Sequence, residues 1–86
     1  MSKETERIVN AERVEDLIAV FGSFDENIRL LETEFQVQVV NRGGEIVVSG
    51  EPENVMLAVK AVQALLTLSN KGESISDQHV RYVIGL

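Results

Sequence analysis

Two predicted helices follow one another so closely in this sequence that the chain must turn sharply between them. The first helix is indicated by apolar residues at the i, i+3, i+4, i+7 spacing of one amphipathic face, namely Val14, Leu17, Ile18 and Phe21. Gly22 stands where a left-handed cap would end this helix, and Asp25 is a suitable N-cap for the next one. Only Ser23 and Phe24 lie between these caps, which predicts a tight corner between two packed helices.

Both helices have further signals at their ends and faces. Asn10 is a suitable N-cap for the first helix, and three acidic residues suit the positive end of its dipole: Glu12, Glu15 and Asp16. The second helix presents Ile28, Leu31 and Phe35 on one face. We therefore expect both helices to pack their apolar faces into a common core.

After Phe35 the apolar period changes from helical to two. Val37 and Val39 alternate with polar residues before the turn segment 41–44 (Asn-Arg-Gly-Gly), and Ile46 and Val48 alternate after it. This pattern predicts a β-hairpin with a loop of three to five residues. Before the first helix, residues 6–9 are predicted to form a short edge strand.

The last third of the chain is predicted to be helical. Pro52 suits the first position of a long helix that ends at Lys71 and Gly72, and Ser76 suits the N-cap of a short final helix. The element order is thus β-α-α-β-β-α plus a terminal helix. We predict one α+β domain over residues 1–86, with a small antiparallel-rich sheet covered by helices on one face. Because the final helix is barely complete where the chain stops, we expect a fragment of a longer protein.

The charge and composition restrict the function. The net charge of −6 argues against strong non-specific binding to nucleic acid, because Lys and Arg supply most of that affinity. The absence of cysteine excludes thiolate chemistry and fits a cytoplasmic location. No signal peptide and no membrane span are predicted. The single histidine, His79, has no second ligand or nucleophile beside it, so we predict no catalytic residue, no metal site and no cofactor in this chain.

The element order resembles that of a type I KH domain, in which a Gly-x-x-Gly loop between the first two helices holds a nucleic-acid backbone. The second glycine is absent here, where the loop reads Gly-Ser-Phe-Asp over residues 22–25. The segment 21–32 (FGSFDENIRLLE) resembles a Phe-Gly-x-x-Asp-x-Asn-Leu-(Lys/Arg)-x-(Leu/Ile)-Glu pattern of PhoH-like proteins, with weaker agreement over residues 39–50 and 80–84. The chain is accordingly identified as resembling the N-terminal KH-like domain of that family.

The resemblance implies that a P-loop ATPase domain, with ATP and Mg²⁺, follows this module in the parent protein. The sequence contains no Gly-x-x-x-x-Gly-Lys-(Ser/Thr) motif, so neither ATP binding nor hydrolysis is assigned to this chain. The expected partners are single-stranded RNA and the parent ATPase domain, without a membrane. Any homo-oligomer is expected to form through the full-length protein.

The predicted nucleic-acid site is the 22–27 loop and its adjoining groove, with candidate residues Gly22, Ser23, Phe24, Asn27, Arg29, Arg42 and Gly43. Phe24 would stack on a base, and the two arginines would flank a groove between the second helix and the hairpin. The competing interpretation is structural. Asp25 would cap the second helix and occupy its free N–H groups, Phe24 would be tucked back over the core, and the arginines would be ordinary solvated side chains.

A second hypothesis is an assembly module that keeps a KH-like fold after losing nucleic-acid binding. The acidic balance and the missing second glycine favour it. It predicts a contiguous apolar patch that includes Val83, Ile84 or Leu86.

Overall fold

The computed structural model describes residues 4–85. Its elements are β1 (Thr5–Asn10), α1 (Val14–Phe21), a single 3-10 turn (Ser23–Asp25), α2 (Glu26–Phe35), β2 (Gln38–Arg42), β3 (Glu45–Gly50), α3 (Pro52–Asn70) and α4 (Asp77–Ile84). The predicted order and the α+β class are therefore confirmed. Leu86, a member of the predicted apolar patch, lies outside the described residues.

The three strands form one antiparallel sheet in the order β1-β3-β2, so β1 and β2 are both edge strands. One face of the sheet packs against the helices. Val39 and Val48, which are directly paired, are buried on that face together with Ile46. Leu31, Val62 and Leu65 complete the centre of the same core from α2 and α3.

The opposite face of the sheet carries a second apolar row. Ile8 of β1 is paired with Val47 of β3, and Val47 is paired with Val40 of β2. Because side chains alternate between the faces of a strand, this row points away from the helices. Val47, in the middle of the row, is only 1% exposed. An ion pair between Arg42 and Glu6, at 3.3 Å, joins the two outer strands.

Two predicted boundaries are wrong. The first helix begins at Val14 rather than just after Asn10, which lies in β1, and its N-cap residue Arg13 makes no side-chain capping bond. The hairpin loop has two residues rather than three to five. Gly43 and Gly44 both have positive φ, as a type I′ turn requires, so the strands extend further than the alternation of apolar residues indicated.

A buried carboxylate joins α1 to α3. Asp16 is 1% exposed, and it accepts hydrogen bonds from the Arg13 guanidinium at 2.8 Å and from the Ser69 hydroxyl at 2.7 Å. The sequence pattern predicts only an interaction of Asp16 with the dipole of the first helix. The structure instead makes it the centre of a tertiary polar network.

The described segment contains no helix that is both long and apolar enough to cross a bilayer.

Candidate nucleic-acid interface

An open groove of about 470 Å³ runs between α1 and the edge strand β2. The loop between the two helices closes one end of it. The groove is lined by Leu17, Ile18, Phe21, Gly22, Asp25, Val39, Val40 and Asn41. The groove was predicted between the second helix and the hairpin, but its helical wall is α1.

The walls of the groove are largely apolar. Ile18 on α1 is 65% exposed and Val40 on β2 is 44% exposed, while Leu17 beside them is buried. The apolar spacing of the sequence predicts that Leu17 and Ile18 lie on one core-facing stripe. A residue that follows another in a helix is rotated by about 100°, so the stripe divides between the core and the groove. Val14, one turn before Ile18, is likewise 69% exposed.

The loop between the helices has an unusual backbone. Phe24 (φ 52°, ψ 31°) and Asp25 (φ 58°, ψ 24°) are both left-handed, a conformation that is costly for residues with a side chain. Asp25 occupies the position of the second glycine in the Gly-x-x-Gly pattern, where such a backbone is easiest for glycine. The phenyl ring of Phe24 is left 89% exposed beside the groove.

Asp25 does not cap α2 in the predicted way. Asp25 directly precedes the helix, but its backbone is left-handed. Its side chain makes no capping hydrogen bond. A good N-cap has an extended backbone that lets its side chain reach back to the helix N–H groups. The structural interpretation of Asp25 as a cap is therefore wrong. Its carboxylate remains at the rim of the groove.

Asn27 lies inside the fold rather than at the surface of the loop. It is 2% exposed, and its side-chain amide donates a hydrogen bond to the Ala19 carbonyl at 3.2 Å. The same amide lies directly against Gly22, where an added Cβ would come within 2.7 Å of Asn27 Nδ2. Asn27 thus holds the loop against α1, and the structure does not present it as a donor to a ligand.

The other candidate residues are exposed but are not all brought together. Ser23 and Phe24 are on the loop, and neither Arg29 nor Arg42 is among the residues lining the groove. Arg42 is paired with Glu6, and Gly43 is in the hairpin turn. The predicted contacts of these two arginines with phosphates therefore stay predictions.

The edge of β2 adds backbone groups to the groove, and the sequence pattern did not predict them. The Val39 N–H donates to the Glu32 carboxylate at 2.8 Å, so it points away from β3. Residues two apart in a strand direct their backbone groups to the same side, so the N–H and C=O of Asn41 also face away from β3. Only the pairing order of the strands, which a single sequence does not show, could have identified this edge.

Residues 4–85 include no group of three or more His, Cys, Asp or Glu side chains arranged to hold a metal ion. The groove has apolar walls, strand-edge backbone groups and an exposed aromatic ring beside it.

The comparisons with known proteins agree with this architecture. Among solved structures, the first type I KH domain of human Vigilin superposes with a TM-score of 0.72 at 18% identity, covering 86% of this chain and 83% of that one. Dim2p from Pyrococcus horikoshii superposes with a TM-score of 0.74 at 17% identity, covering 96% of this chain and 49% of that one. At these identities the likeness shows the fold, which is that of a KH domain.

Sequence comparison adds the relatives. A PhoH-like protein of Bacillus subtilis is 33% identical over 70 residues, which cover 81% of this chain and 22% of the relative. The chain is similar to one part of PhoH-like proteins. A PhoH-like protein of Mycobacterium tuberculosis is 30% identical over 70 residues, which cover 81% of this chain and 20% of that relative. The chain thus spans about a fifth of the length of these curated relatives, and it is a small module with a KH-like fold. No protein-family model matches it.

Proposed function

We propose that this chain is the nucleic-acid-binding module of a PhoH-like ATP-binding protein and that it binds single-stranded RNA. The observation that carries the proposal is the open groove between α1 and the free edge of β2, ended by the left-handed loop at residues 22–25. The remaining length of such a protein would supply the ATPase, with ATP and Mg²⁺.

The groove has the chemistry that an unpaired base requires. Ile18 offers an exposed apolar side chain to the face of a base, and the outward backbone groups of Asn41 supply a donor and an acceptor for base edges. Phe24 offers a further stacking surface at the end of the groove. Bases in a duplex are stacked and paired, so a groove of this kind favours a single strand.

Charge predicts the strength of this binding. The chain carries −6 net, and Asp25 is at the rim of the groove. Few phosphates would be neutralised, so the affinity should be modest, with a small salt slope.

The proposal is tested by NMR titration of the labelled chain with a pool of short single-stranded RNAs at low and moderate salt. We expect amide shifts at Gly22–Phe24 and at Ile18, Val40 and Asn41, and these should weaken with salt. A Phe24→Ala variant should bind more weakly by roughly 5-fold or more, because one stacked base contributes about 1–3 kcal/mol. Met56→Ala, which truncates another exposed apolar side chain on α3 outside the groove, serves as the control. If no shifts appear at low salt, the RNA-binding proposal fails.

Replacement of Asp25 by glycine should improve both folding and binding. Asp25→Gly relieves the left-handed backbone, which should raise the free energy of unfolding by about 0.5–1 kcal/mol. It also removes a carboxylate from the groove, which should strengthen RNA binding several-fold. Asp25→Asn is the matched control, because asparagine tolerates the same backbone and only the charge is lost. Equal or weaker RNA binding by both variants would show that the bound phosphates do not approach this position.

An assembly module is the second candidate function, and a separate surface favours it. A groove of about 310 Å³ is lined by Phe35, Leu57, Lys60, Ala61, Ala64, Val83 and Ile84. Leu57 is 50% exposed and Ile84 is partly buried, but Val83, which the assembly hypothesis placed in an exposed patch, is only 6% exposed. In the titration above, this function predicts no RNA-dependent shifts. It further predicts that addition of the parent's remaining domain shifts the amides around Leu57 and Ile84.

A further inference from the structure

The edge of β1 has unpaired backbone groups whose positions follow from the sheet register. Since the Val39 N–H points away from β3, its pair with Val48 is not hydrogen-bonded, and Val48 directs its backbone groups toward β1. Val48 is paired with Arg7, so Arg7 directs its own groups inward. Backbone N–H and C=O groups point to opposite sides of a strand at successive residues. Those of Glu6, Ile8 and Asn10 therefore face outward, away from β3.

The apolar row on the open face of the sheet ends at the same edge. This row consists of Val40, Val47 and Ile8, and Ile8 is 53% exposed. An unpaired edge strand that also ends an apolar row is suited to pairing with another strand.

Only one antiparallel register pairs all three outward-facing residues of β1 with those of a second copy. A two-fold axis at Ile8 pairs Ile8 with Ile8, and it pairs Glu6 with Asn10 of the second copy in both directions. In each of these pairs, both residues direct their backbone groups toward the other copy, as a hydrogen-bonded antiparallel pair requires. Moving the axis to Arg7 or to Glu6 places like charges directly opposite, which is destabilising.

We propose that this chain forms a two-fold symmetric dimer through β1 in the Ile8–Ile8 register. The product is a six-stranded sheet across which the Val40–Val47–Ile8 row continues into its symmetry mate. The interface is isologous, so it closes and does not propagate into a filament. The candidate nucleic-acid groove is beside β2, the opposite edge, so both grooves stay open at the two ends of the dimer sheet.

The size of the contact predicts a weak dimer. One edge strand of six residues buries less than the roughly 800 Å² per partner of a standard interface. Each copy carries −6, so the two copies repel, and added salt should screen this repulsion. Dimerisation should therefore strengthen with salt, whereas RNA binding should weaken with salt.

Sedimentation equilibrium of the chain from about 10 µM to about 1 mM tests the proposal. We expect the mean mass to rise from 9.5 kDa toward twice that value, more steeply at higher salt. Ile8→Glu should keep the mass at that of a monomer over the whole range. Val14→Glu, which adds the same charge at a 69% exposed valine on α1, should dimerise at most 3-fold more weakly than the parent chain. A monomeric mass for the unaltered chain at 1 mM would overturn the proposal, as would equal losses in the two variants.

A covalent test fixes the register. The chain has no cysteine, so Ile8→Cys introduces a single thiol, and mild oxidation should join two copies across the two-fold axis. Val14→Cys is the control and should cross-link at least 5-fold more slowly. Similar rates for the two thiols would contradict the Ile8–Ile8 register. Circular dichroism of each variant confirms that the chain is folded.

Discussion

Replacing Asp16 with asparagine should lower the melting temperature by on the order of 10 °C. Asp16 is buried between α1 and α3, and its carboxylate accepts from Arg13, from the Ser69 hydroxyl and, at 3.4 Å, from the Asn70 amide. An amide keeps the shape but loses the charge, and it offers one acceptor oxygen in place of two. Removing one partner of a buried charged network is among the most destabilising changes a small domain can undergo.

The same carboxylate predicts the behaviour of the fold in acid. Hydrogen bonds from Arg13 and Ser69 lower the pKa of Asp16 from 3.8 to about 2. A group whose pKa is lowered by folding stabilises the native state above its unfolded pKa, and this contribution is lost as the pH falls through the folded value. We therefore expect a loss of stability from about pH 4 down to about pH 2 in the parent chain, and a flatter pH dependence in the Asp16→Asn variant.

Thermal unfolding followed by circular dichroism at pH 7 and pH 3 checks both expectations. Asp77→Asn is the matched control, because Asp77 is an exposed partner of Arg81 at 3.7 Å. Such a surface pair contributes little, so this variant should melt within about 3 °C of the parent. Equal melting temperatures for the Asp16 and Asp77 variants would contradict a structural role for the buried network.

Replacing Gly22 with alanine should reduce the free energy of unfolding by about 3 kcal/mol. Gly22 has φ 77° and ψ 178°, a combination that is essentially restricted to glycine. In addition, the new Cβ would approach Asn27 Nδ2 to 2.7 Å, and Asn27 is too buried to move away easily. Because the loop ends the candidate groove, RNA binding should be lost together with stability.

A double-mutant cycle separates the two causes. Asn27→Ala alone should cost about 1–3 kcal/mol, because it removes the bond to the Ala19 carbonyl and leaves that acceptor without its partner. With Asn27 already truncated, Gly22→Ala should cost about 1 kcal/mol less than it does alone, since the collision is gone and only the backbone strain remains. Gly72→Ala is the control for positive φ in open space and should cost about 1 kcal/mol. Additive costs in urea denaturation would mean that Gly22 and Asn27 are not in contact.

Local patterns in the sequence predicted the elements of this fold. The change from helical to alternating apolar spacing identified the helices and the hairpin, and Pro52 and Ser76 correctly marked the starts of α3 and α4. These signals depend on residues within one or two turns of each other. The tight loop between the two helices was predicted in the same way, from Gly22 and its spacing from Asp25.

Contacts between distant residues were beyond such patterns. The pairing of Asp16 with Ser69, 53 positions later, and the burial of Asn27 beneath Gly22 depend on how the helices pack. The division of α1 between the core and the groove likewise depends on which neighbours cover each side of the helix.

The sequence alone thus determined the order of helices and strands, the tight corner at Gly22 and the acidic charge, because each follows from neighbouring residues or from composition. Only the tertiary structure decided that Ile18 and Val40 line one groove and that β1 and β2 are the free edges of the sheet. The physical reason is that exposure and strand pairing are properties of the assembled layers. The same apolar side chain is a core residue or a binding surface according to what packs against it.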